Sequence, residues 1–214
     1  MKPVNSKKRV LIIGGSGTIG KSFIRLYYDE NISFYNYYND FISFYNLSRN
    51  ENSQTELHKE FPKIPYQILG NVEDRVSVYN AFEKVKPDIV IHAAAVKHID
   101  LAERQPIHTC RVNLVGSLNI IDAAIRNNTP TVIAISTDKA CSSASVYGDT
   151  KALMEKCFLD ANTDNNRFSV CRFANVAHSN GSVLPFWLKL NSEGKPLKLT
   201  DPNMNRLMFT QNDK

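Results

Sequence analysis

The sequence predicts an α/β fold, a doubly wound parallel sheet with helices on both faces. Short segments that are apolar throughout alternate with segments whose apolar residues recur at helical spacing. Strands of that kind are buried on both sides, as parallel strands in α/β proteins are. The 214 residues suffice for one such domain with a sizeable core, and 43% hydrophobic and 22% charged residues are ordinary for a globular protein.

The first half of the chain contains three of the expected strands. Arg9–Ile13 is apolar after its arginine and ends at a glycine-rich turn, after which Gly17–Asp29 is expected as a helix. Phe41–Leu47 and Tyr66–Leu69 predict the second and third strands. Apolar residues recur at helical spacing over Glu73–Val85, which predicts the next helix.

The second half continues the same alternation. Asp88–His92 is expected as the fourth strand, and a long helical pattern follows from about Pro106 to Asn127. Thr131–Ser136 predicts the fifth strand, Val146–Ala161 a helix and Phe168–Phe173 the sixth strand.

The pentapeptide ISFYN occurs twice, at residues 32–36 and 42–46. The residues between the copies are rich in Asn and Tyr, as low-complexity insertions often are. We interpret the repeat as a small duplication that lengthens the loop before the second strand, so that only the second copy is needed in the sheet.

Composition and charge disfavour several classes of protein. No stretch approaches the ~18 consecutive apolar residues of a membrane helix, and the basic N-terminus lacks the apolar run of a signal peptide. The four cysteines and five histidines lack the spacing of metal ligands, and we expect His92 to be a packed or hydrogen-bonded residue. The net charge of +5 is mild. We therefore expect a cytoplasmic protein with no metal, no membrane contact and no nucleic-acid partner.

A glycine-rich turn joins the first strand to the first helix. Four of the nine glycines lie within residues 14–20. Glycines permit the tight turn and a close approach of the backbone to a pyrophosphate, while the helix N-terminus offers free N–H groups to phosphate. This predicts a Rossmann dinucleotide-binding domain. The residues expected to bind the cofactor here are Gly14, Ser16, Gly17, Thr18, Ile19 and Gly20.

The end of the second strand indicates NADP as the cofactor. An acidic residue there would bind the ribose hydroxyls of NAD, whereas Ser48 and Arg49 suit a 2′-phosphate and no carboxylate occurs before Glu51. The alternative is that Arg49 is an ordinary solvated charge. Further cofactor contacts are expected at the ends of the third and fourth strands, although small residues there could equally serve helix packing. These contacts are Asn71, Val72, Ala93, Ala94 and Ala95.

A catalytic group is predicted where the fifth strand meets the following helix. Tyr147 and Lys151 are four residues apart and share one helical face. A lysine ammonium near a phenol lowers the phenol pKa, which makes the tyrosine a usable base. Thr137, at the end of the strand, supplies a hydroxyl for the substrate oxygen.

These motifs resemble a known family. The glycine pattern and Tyr-x-x-x-Lys are similar to those of the extended short-chain dehydrogenase/reductases. Three segments resemble those of the nucleotide-sugar 4,6-dehydratases of polysaccharide biosynthesis, which act on UDP-N-acetylglucosamine. They are Ser136–Ala140, Ala93–His98 and Arg172–Val176. The resemblance extends over nearly the whole chain from Arg9 onward. It implies an NADP-binding domain at 9–178 and the start of a largely missing substrate-binding region at 179–214.

The resemblance also implies a mechanism. Tyr147, with Lys151 and Thr137, would deprotonate the 4-hydroxyl of the sugar during hydride transfer to NADP⁺, and Tyr147 and Lys151 would also contact the cofactor. Lys139 would remove the proton on carbon 5, and Asp138 would protonate the departing 6-hydroxyl. These two roles require both pKa values to be shifted from their free values, and the alternative is a structural ion pair.

Binding of the UDP-sugar would involve Lys97, Asn175 and Arg206. Family members commonly pair the helices near Pro106–Asn127 and Val146–Ala161 into a homodimer.

Two other functions remain open at this point. A nucleotide-sugar 4-epimerase would use Thr137, Tyr147 and Lys151 without needing the Asp138–Lys139 pair. A cofactor-binding module without turnover is the other alternative.

Overall fold

A computed structural model describes residues 7–28, 42–62, 64, 66–179, 182–197, 199 and 201–210. Within these ranges, six parallel strands form the main sheet in the order β3-β2-β1-β4-β5-β6. This is the strand order of a doubly wound dinucleotide-binding fold, and it confirms the predicted fold class. The strands are β1 (Lys8–Ile13), β2 (Ile42–Ser48), β3 (Tyr66–Leu69), β4 (Ile89–His92), β5 (Thr131–Thr137) and β6 (Arg167–Phe173).

Helices follow the strands, and three of the four predicted helices match the observed ones to within two residues. The long predicted helix is divided by a π-helical segment at Arg111–Val115. The helices are α1 (Thr18–Tyr28), α2 (Glu51–Glu60), α3 (Arg75–Val85), α4 (Ile99–Arg104), α5 (Pro106–Cys110), α6 (Gly116–Arg126), α7 (Val146–Asp160) and α8 (Val183–Ser192). Among them, no helix has both the length and the apolar character that crossing a bilayer requires.

Three helices and a small sheet were not predicted. The helix α2 carries Leu57 as its only apolar residue, so the sequence shows no helical periodicity there. The helix α4 is short, and α8 buries none of its residues. The small parallel sheet pairs β7 (Asn175–Val176) with β8 (Met208–Phe209). It joins residues on either side of the domain boundary predicted after residue 178, and that boundary stays a prediction.

The central strand β1 explains why the sheet is covered on both faces. Leu11 and Ile13 point into a core shared with α3, α6 and α7, whereas Val10 and Ile12 point into a second core shared with α1 and α2. All four side chains are at most 3% exposed. A strand buried on both sides has to be apolar throughout, which is the pattern that predicted it.

The second ISFYN copy, at residues 42–46, lies in β2, as expected. The first copy, at residues 32–36, lies outside the described residues.

Candidate active site

The carboxyl ends of β1, β4 and β5 lie side by side. Ile13 is paired with His92, and His92 in turn with Ala134. Parallel strands in this order place their following loops along one edge of the sheet, where ligands of doubly wound folds bind. The edge carries a continuous cleft with a smaller part of about 210 Å³ and a larger part of about 520 Å³.

Every residue predicted to bind the cofactor lines this cleft. The two parts of the cleft share Gly14, Gly17, Arg49, Ala93 and Ala95. The smaller part is additionally lined by Ser16, Ser48, Asn71, Val72 and Ala94, and the larger part by Thr18, Ile19, Gly20, Tyr147 and Lys151.

The glycine-rich turn requires a residue without a side chain at Gly14. Its φ is +88°, and a Cβ there would lie 2.8 Å from the backbone nitrogen of Ala94. The backbone N–H of Gly14 donates to the carbonyl of Leu47 at 2.8 Å, so the turn is attached to β2 as well as β4. The turn therefore packs directly against the loop after β4, and its Gly14 and Gly17 line the cleft at the N-terminus of α1.

Arg49 follows β2 directly and lines both parts of the cleft. Its guanidinium forms no hydrogen bond or ion pair with any of the residues that the structure describes. The neighbouring Asn50 instead caps α2, because its side-chain oxygen accepts a hydrogen bond from Ser53 N–H at 2.8 Å. Arg49 thus leaves a cation free to bind an anionic ligand.

Lys151 lies inside the protein, behind the larger part of the cleft. Its side chain is on α7, and its Nζ donates to the carbonyl of Ile135 on β5 at 2.6 Å. Burial lowers the pKa of Lys151 to about 8, although the nearby carboxylate of Glu155 raises it. His92 lies close by and is kept neutral, because burial and the charge of Lys151 lower its pKa to about 3.

The predicted lowering of the Tyr147 pKa is not found in this arrangement. Burial raises the pKa of Tyr147, a hydrogen bond with Thr137 opposes that rise, and the carboxylate of Asp138 adds to it. Lys151 is not among these causes, and its ammonium donates to the Ile135 carbonyl. Burial and the carboxylate of Asp138 thus favour the neutral phenol form of Tyr147.

Asp138 and Lys139 form an ion pair in a short 3₁₀ turn that follows β5. Lys139 Nζ donates to Asp138 Oδ1 at 3.0 Å and to Asn175 Oδ1 at 3.3 Å. Burial raises the pKa of Asp138, but hydrogen bonds from Lys139 and Thr137 outweigh it and hold the pKa below its usual value. A general acid at this position needs a raised pKa, whereas the pKa of Asp138 is lowered. Asp138 and Lys139 therefore form the ion pair that was given as the alternative to their acid and base roles.

Two of the three residues predicted to bind substrate line the larger part of the cleft. These are Lys97 and Asn175, and burial lowers the pKa of Lys97. Arg206 is exposed, in the segment before β8, and lines neither part.

Asn113 is a buried residue next to the site that the sequence analysis did not single out. It lies in the π-helical segment, and its buried amide bonds to the backbone N–H and carbonyl of Val96, at 2.8 and 3.0 Å, and to the hydroxyl of Thr150 at 3.1 Å. Its carbonyl accepts from Ser117 at 2.6 Å, and Ser117 also contacts His92 Nε2 at 3.0 Å. Asn113 therefore joins the loop after β4 to α7. Such π-helical insertions are frequent at functional sites.

The family of the chain follows from a match over nearly its whole length. A family model described as polysaccharide biosynthesis protein matches residues 10–214. The chain belongs to this family.

Individual relatives agree with the assignment. The UDP-N-acetylglucosamine 4,6-dehydratase (inverting) of Campylobacter jejuni is 40% identical over 97% of this chain and 61% of its own length. A UDP-glucose 4-epimerase of Rickettsia canadensis is 32% identical over 95% of this chain and 59% of its own length. The resemblance to nucleotide-sugar 4,6-dehydratases is thereby confirmed. The chain spans about 60% of the length of these curated relatives.

A solved structure supports the same fold. Pen from Bacillus thuringiensis superimposes with a TM-score of 0.85 and is 32% identical, over 98% of this chain and 63% of that protein.

In this family member a second ion pair lies behind the site, and the sequence did not indicate it. The buried carboxylate of Glu155 accepts from Arg172 on β6 at 2.6 Å and from the hydroxyl of Ser136 on β5 at 2.5 Å. Glu155 follows Lys151 by one helical turn, so the carboxylate lies on the same face of α7. Arg172 and Ser136 lower the pKa of Glu155 more than burial raises it. Glu155 is therefore the anion nearest to the buried ammonium of Lys151 along α7.

We predict that Glu155→Gln lowers the pKa of Lys151 below its value of about 8, because the substitution removes a negative charge that favours the ammonium. The pKa is measured from the pH dependence of the ¹³Cε chemical shift in lysine-labelled protein. Glu60→Gln, which changes a carboxylate on α2 paired with Arg25, is the matched control and leaves the pKa unchanged. An unchanged Lys151 titration in Glu155→Gln would contradict the prediction.

Proposed function

We propose that this chain carries the catalytic centre of an NADP-dependent 4,6-dehydratase for a UDP-sugar, with UDP-N-acetylglucosamine as the substrate. The observation that supports it most is the hydrogen-bonded Asp138–Lys139 pair next to Tyr147. Lys139 and Tyr147 line the same part of the cleft. The dehydratase relative at 40% identity supports the same reaction. A 4-epimerase is the second candidate, supported by the relative of that name, but it has no need of an acid–base pair for elimination.

The cleft fits a nicotinamide dinucleotide. The cleft at the N-terminus of α1 is lined by Gly14 and Gly17 and suits a pyrophosphate, and Arg49, which pairs with none of the described residues, offers a cation beside Ser48. When bound, the cofactor would accept a hydride from carbon 4 of the sugar and return it at carbon 6, so that it is regenerated. Together, the glycine turn, Ser48 and Arg49 would hold it at the edge of the sheet.

Tyr147 would act first, by removing the proton of the 4-hydroxyl. Thr137 lies near enough to Tyr147 to oppose the rise in its pKa, and it would hold the same substrate oxygen. Because the pKa of Tyr147 is raised, the phenol needs a positive charge near it to become a base at neutral pH. Lys151 is the buried cation on the same helical face, one turn away.

Elimination would use the Asp138–Lys139 pair. The ketone formed at carbon 4 acidifies the proton on carbon 5, which a neutral lysine can remove, while a protonated aspartate can protonate the departing 6-hydroxyl. Transfer of one proton from Lys139 Nζ to Asp138 Oδ1, across their 3.0 Å hydrogen bond, would produce the neutral lysine and the protonated aspartate together. Exclusion of water by the bound sugar favours this neutral pair over the ion pair.

The remaining parts of the proposal concern binding. Lys97 and Asn175 would bind the UDP-sugar in the larger part of the cleft, with Arg206 contributing from the segment before β8.

We also propose a homodimer formed through α6 and α7. Leu118 on α6 and Leu153 on α7 are 40% and 47% exposed, which is typical of apolar residues at an interface.

We predict that Arg49→Ala weakens binding of NADP⁺ about ten- to a hundred-fold, the usual value of a charge-assisted hydrogen bond, and leaves binding of NAD⁺ unchanged. Calorimetric titration of both cofactors measures the effect. Lys156→Ala removes an exposed cation near the other end of α7 and serves as the control. Equal losses for NADP⁺ and NAD⁺ would show that Arg49 does not recognise the 2′-phosphate.

We predict that Tyr147→Phe and Lys139→Ala block different steps. Tyr147→Phe abolishes formation of enzyme-bound NADPH on adding UDP-N-acetylglucosamine, whereas Lys139→Ala retains it but loses proton exchange at carbon 5. Each loss in turnover is ~10²–10⁴-fold, as for other general acid–base groups. Single-turnover absorbance of NADPH, with solvent deuterium uptake at carbon 5, separates the two steps. Deuterium uptake at the parent rate in Lys139→Ala would rule out Lys139 as the base.

A further inference from the structure

Asn46 is a buried polar residue next to the cleft that the proposed mechanism does not use. It lies in β2 and is 1% exposed. Asn46 and Ser48 are two residues apart, so their side chains point to the same face of the strand. A buried amide needs hydrogen-bond partners for both of its ends, and both partners of Asn46 belong to the cofactor cleft or its glycine turn.

The partners fix the orientation of the Asn46 amide. The backbone N–H of Gly15 donates to Asn46 Oδ1 at 2.9 Å. A peptide N–H can only donate, so the oxygen has to face Gly15 and the nitrogen has to face the other way. Asn46 Nδ2 consequently donates to Ser48 Oγ at 3.3 Å.

This contact determines what Ser48 presents to the cleft. Because Ser48 Oγ accepts a hydrogen bond from Asn46, its own hydroxyl proton is directed elsewhere, and it donates to no acceptor among the described residues. Ser48 lines the smaller part of the cleft beside Arg49. A phosphate dianion has acceptor atoms only, whereas ribose hydroxyls are bound best by an acceptor such as a carboxylate.

We propose that Asn46 is a specificity-determining residue: it orients the Ser48 hydroxyl as a donor, so that the cleft selects an adenosine 2′-phosphate over a 2′-hydroxyl. The inference rests on the proposed dinucleotide site. It adds to Arg49 a second, uncharged determinant of cofactor choice. Asn46 acts through Ser48 and need not touch the cofactor.

Asn46→Asp tests this by replacing the amide nitrogen with an oxygen. The carboxylate still accepts from Gly15 N–H, but the end facing Ser48 becomes an acceptor and accepts a hydrogen bond from the serine hydroxyl. The readout is the ratio of NADPH to NADH affinity, from fluorescence titration of each cofactor. Both cofactors share the pyrophosphate, so damage to the glycine turn lowers both affinities equally and leaves the ratio unchanged. We expect Asn46→Asp to lower the ratio about tenfold or more.

Two further variants keep the test decisive. The negative charge that Asn46→Asp introduces could repel phosphate directly, and that repulsion persists in a Ser48→Ala background, where the effect on the hydroxyl is gone. We expect the same substitution to change the ratio by less than about threefold in that background. If Asn46→Asp does not fold, Asn46→Ala takes its place in the test. It adds no charge but releases the Ser48 hydroxyl, so it should also lower the ratio of NADPH to NADH affinity.

The outcomes separate this inference from the proposal on which it rests. If the parent chain binds neither NADPH nor NADH, the dinucleotide site is wrong and the role of Asn46 with it. If the parent prefers NADPH but the ratio is unchanged in the Asn46 variants, or falls equally with and without Ser48, the cofactor site stands and the inference is overturned.

Discussion

The rest of the site depends on how the buried ammonium of Lys151 is bound. A cation that is 3% exposed is costly unless fixed partners surround it. The Ile135 carbonyl binds it from the end of β5, and Glu155 supplies the opposite charge from the next turn of α7. Since Glu155 is itself bound to Arg172 on β6, one buried charge connects a helix to two strands. The position of Tyr147 on α7, relative to the end of β5, follows from these contacts.

Around this centre the cleft divides its chemistry between neighbouring strand ends. The ends of β1 and β2 and the loops after them present glycine backbone, a serine hydroxyl and a guanidinium that pairs with none of the described residues, and these groups suit phosphate. The loop after β5 and the start of α7 present the threonine, the tyrosine and the Asp138–Lys139 pair. The order of the parallel strands brings the two groups together, so that a dinucleotide bound along the edge of the sheet would reach both of them.

The parts of the structure that the sequence predicted are those with a local signal. Arg9–Ile13 is apolar after its first residue, and the spacing of Tyr147 and Lys151 places them on one helical face whatever the surroundings are. The helix α2 could not be predicted because nearly all of its residues are polar. The raised pKa of Tyr147 depends on burial and on Asp138, neither of which is a property of the motif. Contacts such as Asn46 with Gly15, 31 residues apart in the chain, exist only once the strands are paired.

Product analysis is the most direct test that the cleft dehydrates a nucleotide sugar. The chain is incubated with NADP⁺ and UDP-N-acetylglucosamine in deuterated water, and the sugar nucleotide is analysed by mass spectrometry and NMR. If the cleft catalyses 4,6-dehydration, we expect a 4-keto-6-deoxy product that has lost one water and carries solvent deuterium at carbon 5, without net consumption of NADP⁺. A product with the mass of the substrate and an inverted carbon 4 would contradict it, as would recovery of unchanged substrate from a chain that binds both ligands.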